Sequence, residues 1–248
     1  MPTSQEVSEA QSITGSTFAR AFVGAIGRGA KHLAFVPPKI DTLAEIRVHE
    51  GDLYRFMAFG RTKNTLGPLL DSPASVIIKG RPFPVSATAL APGFTRENRE
   101  AQLLALDGKF SLLAQIDDGA FIAATDLIGA GGLFYAYRRS DETLYVATHL
   151  GFLLSIIGDR PEYDQTGVAA MIMARSCVGG ITPLRDVFLL TAGRFLNVAV
   201  DHNGRVDFSV EVYGSLSAEL AAPSESRASP ETLHEQFGEL LLQSMTRE

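Results

Sequence analysis

The chain has 248 residues, of which 46% are apolar and 20% charged. That is an ordinary globular balance in a chain long enough to bury a core without a disulfide or metal staple. Its 22 basic and 28 acidic side chains give a net charge of −6, which argues against nucleic acid or an anionic membrane recognised through the overall field. The single cysteine, Cys177, excludes an intramolecular disulfide and fits a reducing, cytoplasmic setting. The opening MPTSQEVSEAQS has no basic residue ahead of an apolar run, so it is not a secretory signal. The most apolar stretches, Leu133–Tyr137 and Leu150–Ile157, fall far short of the ~20 residues of a membrane helix.

In chain order, residues 1–17 are polar and Ser/Thr-rich and predict a flexible leader. Short apolar runs broken by Gly and Pro predict strands at Phe18–Ile26, Leu33–Val36, Ile46–His49, Leu53–Phe59 and Ser75–Ile78, with a hairpin in VHEGDLYRF. Thr95, followed by acids and then Leu103, Leu104 and Leu106, predicts a capped helix through NREAQLLAL. FSLLAQI and AFIAATD flank an Asp117-Asp118-Gly119 turn, and LFYAYRR and TLYVATH flank Ser140-Asp141-Glu142. These four strands predict an antiparallel meander. Leu150–Ile157 predicts a short helix. A second helix starts at the N-cap Asp164, carries Val168, Met171 and Ile172 on one face and ends at Gly179-Gly180. Phe195–Val200 and Val206–Val212 form a third hairpin about an Asn-Gly turn. Residues 214–230 predict a linker. A last helix is capped by Ser229, with Pro230 and Glu231 in its first turn and Leu233, Phe237, Leu240, Leu241 and Leu242 as an apolar stripe.

Residue chemistry points to no self-evident active site. The five histidines (His32, His49, His149, His202 and His234) lie far apart, and neither CxxC nor HExxH occurs, so a metal site has no ligand spacing to rest on. Gly129-Ala130-Gly131-Gly132 is followed by a strand rather than a helix, which predicts a tight turn instead of a phosphate cradle. Cys177 follows a helix, where the dipole raises rather than lowers a thiol pKa, and is expected to be a small packed residue. His149 ends a strand pattern and is expected to be structural, and Ser16 lacks a GxSxG setting.

The stretch Leu106–Leu154 nevertheless resembles the glutaminase-like N-terminal domain of asparagine synthetases. The matching residues are Leu106-Asp107-Gly108, Phe110-Ser111, Asp126, Gly129, Leu133-Phe134-Tyr135, Val146-Ala147-Thr148 and Leu153-Leu154. Pro183-Leu184, Val187, Leu190, Gly193 and Phe195-Leu196 are similar to a second family segment in the expected order. Many hairpins with a few helices already predict an α+β fold of two antiparallel sheets with helices packed outside, and the resemblance implies its four-layer αββα form, a sandwich of the N-terminal-nucleophile hydrolase type. Ala21–Arg28 resembles the family's first strand, C-G-I-x-G. There the cysteine begins the mature chain and its own α-amino group takes the proton. Here Val23 occupies the nucleophile position and 22 residues precede it.

The family's N-G-E motif supplies oxyanion donors. Its nearest match is Lys79-Gly80-Arg81, with Gly80 keeping a turn after the strand. Gly24, Lys79, Gly80 and Arg81 are therefore the residues of a degenerate pocket, while Asp126 and Gly129 hold a structural turn. The family's aspartate for the substrate amine has no clear match here; Glu97 and Glu100 lie in about that region of the chain.

Accordingly, residues 18–213 are expected to be a catalytically silent glutaminase-like domain, joined by a 214–230 linker to the first helix (231–248) of a synthetase half not contained in the chain. Its partner would be an ATP-binding synthetase domain or subunit of an amide-forming ligase, as in the lasso-peptide cyclases and β-lactam synthetases that lack the cysteine. This chain itself would hold no cofactor or metal, with ATP and Mg confined to the synthetase half. No nucleic acid or membrane partner is expected, and the last helix's stripe leaves a homodimer open. Two alternatives are a stand-alone interaction module and an active hydrolase released by cleavage before Ser16 or Thr17. Thr17 sits six residues before the nucleophile position, which at strand rise puts it roughly 20 Å from Gly80.

Overall fold

The computed structural model describes residues 16–19, 21–33, 45–60, 76–83, 94–158, 161–216, 229, 232, 234–239 and 242. The chain divides into two units, Met1–Leu216 and Ser217–Glu248.

The first unit is built from two six-stranded sheets. Sheet I has the order β1-β5-β6-β7-β11-β12. Its strands are β1 (Ser16–Ala19), β5 (Val76–Phe83), β6 (Asp107–Asp117), β7 (Ala120–Thr125), β11 (Arg194–Val200) and β12 (Val206–Val212). Sheet II has the order β10-β8-β9-β2-β4-β3. Its strands are β2 (Ala21–Gly27), β3 (Glu45–Gly51), β4 (Tyr54–Gly60), β8 (Phe134–Arg138), β9 (Thr143–Ala147) and β10 (Val187–Leu189). Among the described residues every pairing is antiparallel except β1 with β5.

Side chains alternate across each strand, so each sheet offers two apolar faces. Phe22, Ile26, Phe56, Ile77, Leu113, Phe121, Val146 and Leu196 fill the space between the sheets. The opposite face of sheet II carries Val23, Ala25, Met57, Phe59 and Ala147. It is covered by Phe152, Leu153, Ile156 and Ile157 of helix α2 (Leu150–Ile157). The opposite face of sheet I carries Ile78, Phe110, Leu112, Ile122 and Phe195 and is covered by Leu103 of helix α1 (Arg99–Ala105) with Phe94. The layers are thus α, β, β, α, as expected. Burial on both faces explains why β2 and β7 lack the polar alternation of a half-exposed strand.

Several elements differ from the sequence expectation. Phe18–Ile26 is not one strand: Ser16–Ala19 pairs with β5 in sheet I, whereas Ala21–Gly27 belongs to sheet II. The strand also starts at Ser16, inside the segment assigned to the leader; residues 1–15 lie outside the described residues. The four central strands are not a meander. β6–β7 and β8–β9 are hairpins in opposite sheets, because residues 126–133 carry the chain across the sandwich. Leu33 follows a 3-10 turn at Ala30–His32, and the rest of that expected strand lies outside the described residues. Thr95 does not cap α1. It exchanges bonds with Asn98 in the preceding turn (Asn98 Oδ1 accepts from Thr95 N at 2.7 Å), and the helix begins at Arg99. Helix α3 (Gln165–Ala174) has the expected N-cap, with Asp164 Oδ1 accepting from Gly167 N at 2.7 Å. It stops at Arg175 in a left-handed conformation, before Gly179-Gly180.

In the second unit, residues 234–239 are helical, and Ser229 Oγ accepts from Thr232 N at 3.3 Å, as a capping residue would. Phe237 and Leu242 are exposed. The linker residues 217–228, with Pro230, Glu231, Leu233, Leu240 and Leu241, lie outside the described residues. Among the described residues no helix is long and apolar enough to cross a membrane.

Candidate functional site

Val23 lies in the middle of β2, paired with Met57 on one side and Ala147 on the other, and is fully buried. Its side chain packs with Ala147 and Leu153 beneath α2. An isopropyl group there offers no nucleophile, and its nitrogen is a peptide amide within the strand. The next residue, Gly24, faces the other way, into the space between the sheets. A Cβ on it would lie 2.8 Å from Leu113 Cδ2 and 3.0 Å from Phe56 Cδ1 and Val146 Cγ2, so any larger residue would force these core side chains to shift.

Lys79, Gly80 and Arg81 sit inside β5, not in a turn after it. Lys79 pairs with Ser111, Gly80 with Phe110 and Arg81 with Lys109. The strand runs on because Gly80 takes φ +110°, which brings it against β6; a Cβ would stand 2.1 Å from Lys109 O. Lys79 is half-buried and its Nζ donates to Gly131 O at 3.4 Å. Burial, then the charge of Lys109, pushes the Lys79 ammonium pKa down. Burial, then the charge of Lys79, lowers the pKa of His149. The two therefore share one neighbourhood, which sequence reading did not foresee. His149 Nδ1 lies 3.1 Å from Thr148 Oγ1, and its ring packs on Phe152 at 5.2 Å. Thr148 Oγ1 accepts from Phe22 N at 3.1 Å, tying the end of β9 to the start of β2. Among the described residues no carboxylate pairs with Lys79, Lys109 or His149. Glu97 and Glu100 are both exposed, beside and on α1.

The crossing between sheets is organised by Asp126, which is 1% exposed. Its carboxylate accepts from four backbone amides: Gly131 N (2.7 Å), Ala130 N (3.0 Å), Ile128 N (3.1 Å) and Phe110 N (3.2 Å). Its carbonyl accepts from Gly129 N and Gly193 N, each at 3.0 Å. The amides of the Gly-rich loop are thus turned inward onto Asp126 and are not open to a phosphate. Gly131 O is free to meet Lys79 because the loop is fixed this way.

Ser16 and Thr17 stand opposite Val76 and Ile77. Thr17 is thus three positions along β5 from Gly80, about 10 Å at strand rise rather than 20 Å, because β1 lies on β5 instead of extending β2. Cys177 is half-buried and burial raises its thiol pKa, the reverse of activation. Among the described residues no three His, Cys, Asp or Glu side chains are placed to hold a metal.

Sequence reading also missed a surface. In α3 only Gly167 is buried, and Ile172 and Met173 are 74% and 86% exposed, with Tyr163 (76%) beside them. The signal was present. QTGVAAMIMA has no charged residue and is apolar on more than one side, which suits a covered helix rather than an amphipathic one.

No protein-family model and no curated protein sequence matches the chain. Among solved structures it is similar to the glutamine phosphoribosylpyrophosphate (PRPP) amidotransferase from B. subtilis complexed with ADP and GMP. The TM-score is 0.43 and the identity 11%, over 84% of this chain and 45% of that one. The chain thus spans less than half the length of that structure.

Proposed function

We propose that residues 18–213 form a catalytically silent glutaminase-like domain that serves as the docking half of an ATP-dependent amide-forming ligase of the asparagine synthetase type. The observation that carries this reading is Val23, a buried mid-strand valine where the resemblance puts a terminal cysteine. A glutaminase needs a nucleophile and a free amine at that point, and neither is available. Lys79 stands where the resemblance expects an oxyanion-hole asparagine, and its Nζ is engaged by Gly131 O. The fold outlasts the chemistry because its strands form the core. Loss of the nucleophile follows once the ligase draws its amine from the acceptor itself.

The docking surface in this reading is the face of α3 bearing Ile172 and Met173, whose exposure is costly for a solitary domain. The synthetase half would bring ATP and Mg. The test has two arms. The purified chain should release no ammonia from glutamine. Ile172→Glu should weaken association with an adenylating synthetase chain at least tenfold while leaving the melting temperature unchanged. Robust glutamine turnover would overturn the silent assignment, and association indifferent to Ile172 would overturn the docking face.

A second reading is favoured by the register of β1, which brings Thr17 within about 10 Å of Gly80 along one strand. Cleavage before Ser16 or Thr17 would then expose an N-terminal hydroxyl amino acid close to Lys79. Intact-mass spectrometry of the purified chain decides this, since the reading requires a species starting at one of those two residues.

A further inference from the structure

Strand β8 runs past the end of β10. Val187 pairs with Ala136, and the ladder stops there because Asp186 takes φ +59° and turns the chain away from Tyr137. The gap opens a cavity of about 730 Å³ at the rim of sheet II, within the ~300–1,000 Å³ range of small-molecule sites. One wall is aromatic. Tyr135 stacks on Phe188 at 5.4 Å and 29°, and Phe208 of β12 meets Tyr135 edge-on at 6.3 Å. Phe188 is 39% exposed, so this wall is open to a ligand.

The charges lining the cavity sort into two kinds. Arg138 is consumed by Asp141, Tyr145 and the carbonyl of Ile157, and Arg185 by Glu162. Two remain: Arg139, in the turn that follows β8, and Asp186, at the point where β10 departs, both lining the cavity. Among the described residues neither makes an ion pair or a side-chain hydrogen bond. One cation, one anion and an aromatic wall form a complementary set for a ligand with the reverse pattern.

The geometry points to a binding site for a zwitterionic α-amino acid with an aromatic or large apolar side chain. Its carboxylate meets Arg139, its ammonium meets Asp186, and its side chain lies against Tyr135 and Phe188. Burying the apolar group supplies the attraction, and the charge pair sets orientation, since exposed ion pairs alone contribute little.

The test uses the full chain and L-phenylalanine as probe, followed by isothermal titration or ligand-observed NMR. Saturable binding near the millimolar range is expected. Phenylacetate, which lacks the ammonium, and phenethylamine, which lacks the carboxylate, should each bind about three- to fivefold more weakly. Arg139→Gln and Asp186→Asn should each cost L-phenylalanine about the same factor. Both positions are exposed and asparagine tolerates the left-handed backbone, so folding is preserved. Arg139→Gln should leave phenethylamine binding unchanged, and Asp186→Asn should leave phenylacetate binding unchanged. No saturation by about 20 mM, or equal affinity for all three ligands, would overturn the assignment, as would variants that bind like wild type.

Discussion

Replacing Asp126 by alanine should loosen the crossing between the two sheets, and the structure gives the size of the effect. The carboxylate accepts four backbone N–H bonds. Two of the donors, Phe110 N and Gly131 N, are in buried residues, and alanine leaves both without a partner. An orphaned buried donor costs about 1–3 kcal/mol, so these two together cost about 2–6 kcal/mol. The Ile128 and Ala130 amides lie nearer the surface, where water replaces the lost acceptor and adds little. For a domain of this size each kcal/mol shifts the melting temperature by about 2–4 °C, which predicts a drop of roughly 5–20 °C. The assay is thermal unfolding followed by circular dichroism, paired with hydrogen exchange at the Phe110 and Gly131 amides. Asp126→Asn should fall between the two, because its carbonyl keeps some acceptors while its NH2 group faces the others. A shift below about 2 °C for Asp126→Ala, with both amides still protected, would refute the reasoning.

Lys79→Met removes the neighbouring charge that helps depress His149, so the His149 pKa, followed by its ring proton shifts, should rise toward 6.5; an unchanged value would mean the two side chains are not coupled. Gly80→Ala places a Cβ 2.1 Å from Lys109 O at a φ of +110°, so it should cost more than about 2 kcal/mol in a denaturant titration, and a neutral result would mean β5 and β6 can part locally. Asp141 titrates below its ordinary 3.8: burial opposes its charge, but bonds from Arg138 and Tyr145 outweigh that. Its stabilising contribution is therefore present above pH 3.8 and is lost as pH falls through the lowered pKa. Asp141→Asn should flatten that part of an acid-unfolding profile, and a superimposable profile would exclude Asp141 as a contributor.

Composition, turn residues and local pattern by themselves determined that this is an α+β chain with hairpins at Asp118-Gly119, Ser140–Glu142 and Asn203-Gly204. Those signals are local: a left-handed glycine or a short polar turn constrains the few residues around it. That Val23 offers no nucleophile was legible for the same reason, since valine has no reactive atom in any fold. What only the tertiary structure decided is which sheet each strand joins. Ser16–Ala19 and Ala21–Gly27 are continuous in pattern yet lie in different sheets, and strands buried on both faces carry no polar alternation to mark the change. Partnership across the sandwich was equally hidden. The Phe110 amide on Asp126, the nearness of Lys79 to His149, and the cavity that Arg139 shares with Asp186 each join residues brought together by packing between elements rather than by spacing along the chain.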